Sequence, residues 1–109
     1  MMRIDWSARA KQDLRNLKAY IGCGSLFYAK RFVLKILQNV ENLSSFPEMG
    51  RHVPEACEQK NIRELIIQGY RVIYLVEVNA IYILAIVHGN QDLDGMDNKP
   101  WKNPSSFDN

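Results

Sequence analysis

Residues 61–88 read NIRELIIQGYRVIYLVEVNAIYILAIVH, and this stretch decides the fold. Three runs rich in Ile, Val, Leu and Tyr (61–67, 70–78 and 81–88) are separated by Gln68-Gly69 and Asn79-Ala80. β-branched and aromatic residues suit a pleated surface, and two-residue turns fix an antiparallel register. The expected pairing sets Ile67 opposite Tyr70, Ile66 opposite Arg71, Glu64 opposite Ile73 and Arg63 opposite Tyr74. In the second hairpin it sets Val78 opposite Ile81, Tyr74 opposite Ala85, Val72 opposite Val87 and Arg71 opposite His88. Side chains alternate along a strand, so this register sorts them into two faces. One face carries Arg63, Leu65, Ile67, Tyr70, Val72, Tyr74, Val76, Ile83, Ala85 and Val87. The other carries Ile62, Glu64, Ile66, Arg71, Ile73, Leu75, Glu77, Tyr82, Leu84, Ile86 and His88. Both are mainly apolar, whereas a short antiparallel sheet ordinarily leaves one side wet. Each face therefore needs a cover.

Upstream lies the cover for one of them. Residues 3–6, Arg3-Ile4-Asp5-Trp6, read as a short strand. Ser7 is a good N-cap, because its hydroxyl can accept a free backbone N–H of the first helical turn. Ala10, Leu14, Leu17 and Ile21 then recur at helical spacing until Gly22-Cys23-Gly24. Ser25 caps a second helix with the stripe Ala29, Phe32, Val33, Ile36, Leu37, Val40 and Leu43. The result is an αα-hairpin. Residues 44–58 lose periodicity and contain Pro47, Gly50 and Pro54, so they read as a loop crossing. The second sheet face must be closed by the C-terminal tail, by another chain, or by both.

The expected fold class is α+β: a short N-terminal strand and an αα-hairpin packed on a mainly antiparallel sheet with three consecutive C-terminal strands. The 109 residues are enough for one domain, placed at 1–92 and followed by a polar tail at 93–109. The net charge of +2 is too small to argue nucleic-acid binding, and no recognition-helix signature is present. Charge is nonetheless uneven. Residues 7–42 hold seven basic and two acidic residues, a balance of +5, while 61–109 hold four basic and six acidic, a balance of −2. No signal peptide or membrane span is read from the sequence, and the two cysteines, Cys23 and Cys57, suggest plain thiols in a reducing cytoplasm.

Few residues invite chemistry. Asp92, Asp94 and Asp97 suggest a calcium loop, but that motif needs Asp or Asn at its fifth position and Glu at its twelfth, where Met96 and Asn103 stand, so no metal and no cofactor is expected. The pairing brings Arg71 beside His88, with Glu64 one pair further along. This group reads either as a satisfied structural cluster or as an acid–base or phosphate-binding site. Trp6 and Tyr74 read as core aromatics, Tyr70 as closure of the hairpin end, and Trp101 as an anchor for the tail.

Three segments together carry a family resemblance: residues 6–14 (Trp6-Ser7-Ala8-Arg9-Ala10-Lys11-Gln12-Asp13-Leu14), residues 46–51 (Phe46-Pro47-Glu48-Met49-Gly50-Arg51) and residues 62–74, followed by Ile86-Val87-His88-Gly89. In order and spacing the chain resembles the RelE/ParE toxin superfamily of bacterial type II toxin–antitoxin modules. In the RelE branch, which cuts mRNA on the ribosome, the resemblance implies a cluster of cations around the scissile phosphate. Here the two strand positions for lysines hold Ile62 and Glu64, Gln91 stands where a later arginine would be, and the tail from 92 to 109 has no tyrosine. Only Arg71 remains. The pattern is closer to the ParE branch, which implies inhibition of DNA gyrase, no catalytic centre, and neutralisation by a cognate antitoxin whose own DNA-binding part is the link to DNA. The alternatives are a ribonuclease using Arg71, His88 and Arg63, or a non-toxic partner in a complex.

Overall fold

Ser7 sets the start of the first helix as its chemistry requires. Its Oγ accepts from the Ala10 N–H at 3.0 Å and donates to the Leu84 carbonyl at 3.0 Å. A computed structural model of the protein describes residues 1–57, 59–96 and 98–102. In chain order the elements are β1 (Arg3–Trp6), α1 (Ala8–Gly24), α2 (Leu26–Asn42), β2 (Arg51–His52), a one-turn 3-10 helix (Pro54–Ala56), β3 (Ile62–Ile67), β4 (Tyr70–Val76) and β5 (Ala80–His88). The sheet order is β1-β5-β4-β3-β2, with β1 parallel to β5 and the other pairs antiparallel. Ser25 ends α1 by donating its N–H to Ile21 O and starts α2 by accepting from Tyr28 N–H. The expected α+β architecture is present.

The first hairpin follows the expected register at every pair. Gln68 at φ +50° and Gly69 at φ +85° make the tight turn, where positive φ favours glycine. The second hairpin differs in two ways. Glu77 N–H donates to Ala80 O, so the turn is Val78-Asn79 rather than Asn79-Ala80. The strands also contain a bulge: Ile73 faces Ala85 and Tyr74 faces Ile83, leaving Leu84 as the extra residue. The first change shifts register by two and keeps the faces. The second inverts them for the rest of β5. Tyr70, not Arg71, is therefore opposite His88, and Ile86 rather than Ala85 and Val87 turns toward the helices. The short strand β2 was also not expected within residues 44–58.

Helix α1 explains why the bulge is tolerated. Its cap residue Ser7 takes up the Leu84 carbonyl, and its Asp13 Oδ2 accepts the Ile86 N–H at 3.0 Å. Irregular backbone groups that would otherwise be buried without partners are thus satisfied.

Two cores flank the sheet. On the helix side, Ala10, Phe32, Ile36, Val40 and Leu43 pack on Leu65, Ile67, Val72, Tyr74, Ile81, Ile83 and Ile86. Fully burying one such aliphatic or aromatic side chain is worth roughly 1.5–3 kcal/mol. On the other side, Val53, Ala56, Leu93 and Trp101 cover Ile62, Ile73, Leu84, Ala85 and Val87. This chain itself covers most of the second apolar face, through the crossing loop and the segment after β5, and leaves Ile66 exposed. The remainder of the tail, 103–109, and Asp97 of the rejected calcium reading lie outside the described residues.

Candidate functional site

Arg71 leaves β4 on the second face and is 5% exposed. Its Nε donates to Glu64 Oε1 at 2.6 Å, while Nη1 and Nη2 donate to Glu55 Oε2 and Oε1 at 3.1 and 2.7 Å. Glu64, 1% exposed, is held on its other oxygen by Arg51 Nε at 2.6 Å. Glu64 arrives from the cross-strand diagonal on β3, and Glu55 from the one-turn helix. Two carboxylates and a planar guanidinium match in geometry, so burial is offset by bidentate, charge-assisted bonds. The Arg71 hydrogen bonds pull the Glu55 carboxyl below its ordinary range, and Glu55 and Glu64 in turn raise Arg71. Glu55 and Arg51 are partners that sequence reasoning missed. Pro54-Glu55-Ala56 carries a helix-start signal, but one turn has no period from which to place its side chains.

The other two residues of the ribonuclease alternative lie elsewhere. Arg63 points to the opposite side of β3 and donates from Nη1 to Gly50 O at 2.6 Å and Glu48 O at 3.3 Å, tying down the loop after α2. Tyr74 helps from below: its OH donates to Pro47 O and accepts from Gly50 N–H, both at 2.9 Å. A Cβ at Gly50 would come within 2.4 Å of Glu64 O and 2.6 Å of Tyr74 Oη. Residues 46–51 are thus a packed corner, which gives that sequence motif a structural reason. His88 is exposed at the end of β5, with its ring 5.4 Å from that of Tyr70 and its Nδ1 accepting from Asn90 N–H. The expected Arg71–His88 neighbourhood does not form.

A different feature is open to a partner. On α2, Phe27, Tyr28 and Leu34 are 63%, 63% and 56% exposed, and Lys30, Arg31 and Lys35 stand between and beside them. Arg31 lies over the Phe27 ring at 5.6 Å. Tyr28, Arg31, Leu34 and Lys35 line a groove of about 730 Å³ that runs from α2 to Tyr70 and the Gln68 turn. No acidic residue lines it among those described. Exposed apolar groups interleaved with cations make this surface complementary in charge and polarity to an acidic amphipathic segment. No helix among the described residues is long and apolar enough to cross a membrane.

The comparisons agree with this architecture. Residues 4–93 match the family model described as ParE toxin of the type II toxin–antitoxin system parDE. The chain is 30% identical over 89 residues to Toxin RelE2 of Caulobacter vibrioides, spanning 81% of this chain and 96% of that one. Its fold is similar to a chain of the chromosomal ParDE system of Pseudomonas aeruginosa, with TM-score 0.64 at 23% identity and 81% and 96% of the two chains covered. It is also similar to a chain of the RelBE2 toxin–antitoxin complex of Mycobacterium tuberculosis, with TM-score 0.58 at 16% identity and coverage of 80% and 96%.

Proposed function

The chain belongs to the ParE toxin family, as the toxin component of a type II toxin–antitoxin system, and from that premise we propose that it inhibits DNA gyrase without cutting RNA and is neutralised by a cognate antitoxin. Gyrase enters through the resemblance carried by the sequence motifs. The observation that favours it over RNA cleavage is the state of Arg71. Cleavage of a phosphodiester needs cations aimed at the developing negative charge. Every terminal donor group of Arg71 faces a carboxylate, and Glu64 puts negative charge where a cation would be required. His88 and Arg63 are too dispersed to replace it.

The antitoxin reading is supported by the basic, apolar groove along α2, whose charge suits an acidic amphipathic segment. The test is a supercoiling assay with purified gyrase and the full chain freed of antitoxin, run beside ribosome-dependent mRNA cleavage. Loss of supercoiling with intact mRNA is expected. Cut mRNA with unimpaired supercoiling would overturn the proposal.

A further inference from the structure

Beyond Tyr70, the groove gives way to a second recess with a different character. It has a volume of about 380 Å³ and lies between α1 and the end of β5, with Asp13, Tyr20, Tyr70, His88 and Gln91 among its walls. Asp13 is half-buried, and the Ile86 N–H holds its Oδ2 in place. No ion pair to Asp13 is found among the described residues. The cation one helical turn earlier, Arg9, sends its Nη1 to the Asn98 carbonyl at 2.9 Å and acts on Asp13 only at a distance. Burial pushes the Asp13 carboxyl up, as expected of a carboxylate without a close positive partner.

We propose that this recess receives an arginine side chain from the antitoxin segment that occupies the neighbouring groove, with Asp13 as the counter-ion and Tyr20 and Tyr70 as aromatic walls. The inference rests on the reading of the α2 groove as the antitoxin's seat, and Tyr70, common to both cavities, makes the path continuous. Electrostatics choose the ligand. A lone fixed carboxylate repels phosphate and carboxylate groups and supplies too few oxygens for a divalent cation. A guanidinium meets the free oxygen of Asp13 and stacks on tyrosine faces. The two cavities thus differ in sign, the groove suiting acidic residues and the recess a basic one, which would fix the direction in which a segment lies.

The test has two arms. In the first, Nα-acetyl-arginine methylamide is titrated into the isotope-labelled full chain, with the neutral citrulline counterpart as control. Saturable shifts are expected at the amides of Ile86, Tyr70 and His88 with arginine and not with citrulline. Asp13→Asn keeps an acceptor for Ile86 and should weaken arginine binding about tenfold or more, while Tyr20→Ala weakens it about threefold. In the second arm, dissociation of the antitoxin complex is timed for Asp13→Asn and Leu34→Glu. Faster dissociation of Asp13→Asn, by about tenfold, is expected. Equal binding of citrulline, or an Asp13→Asn complex as long-lived as the wild type, would overturn the inference. A Leu34→Glu complex that persists would instead overturn the reading of the groove.

Discussion

Arg71 shows how one side chain can carry a family motif for structural reasons. Arg71→Ala would leave Glu64 buried with only Arg51 for support and release the one-turn helix from the sheet, so it should cost about 3–5 kcal/mol in urea unfolding. A catalytic arginine would instead lose activity with little change in stability. The same network has a pH signature. Glu55 is depressed in the folded state, so its contribution is present above its unfolded value of about 4.3 and disappears as pH falls through the folded value. Asp13 is raised, so it acts in the opposite sense: its ionised form weakens the fold at neutral pH, and protonation relieves that. The stability gap between wild type and Glu55→Gln should therefore narrow on acidification, whereas Asp13→Asn should gain most over wild type near pH 7. Gly50→Ala would drive a methyl into Glu64 O and Tyr74 Oη and should lose roughly 1–3 kcal/mol, measured by thermal unfolding.

At the scale of elements, what was legible in the sequence was what local chemistry fixes. Ser7 and Ser25 cap their helices because a hydroxyl before a helical stripe has one obvious task. Gln68-Gly69 fixes β3 against β4 because its positive-φ turn leaves one register. The second hairpin was legible only in part, since Asn79-Ala80 and Val78-Asn79 are both workable turns and the bulge at Leu84 is satisfied by Ser7 and Asp13 from a distant helix. No local pattern announces such partners. For the same reason β2 and the Glu55 contact were hidden: two strand residues and a single helical turn have no periodicity. The Arg71–Glu64 half of the cluster followed from the first hairpin, and the wrong Arg71–His88 half followed from the second. Ser7→Ala should accordingly cost more than an exposed cap, about 2 kcal/mol, because Leu84 O loses its partner along with Ala10 N–H. Chemical denaturation would check this. On α2, Leu34→Glu should leave stability nearly unchanged, because its side chain is largely exposed, while disrupting antitoxin binding in a pull-down.

For the whole molecule, a sheet buried on both sides depends on segments that flank it in sequence. Leu93 and Trp101 close the second core although they lie beyond the last strand. Trp101→Ala should destabilise the fold by roughly 3–5 kcal/mol, readable as a lowered thermal midpoint. Such dependence makes the segment after β5 part of the folding unit through at least residue 101.

The position of β1 has a consequence for synthesis. Among the described residues its one neighbour in the sheet is β5, so the first of these strands to be synthesised pairs with the last of them. Translation at about 5–20 residues per second keeps those partners apart for several seconds. In that interval Ile4 and Trp6 lack their strand partner, while the helical hairpin of the core they join is already complete in sequence. Pairing of β1 therefore has to wait for β5, whereas the helical hairpin and the β3–β4 hairpin have all their residues available earlier.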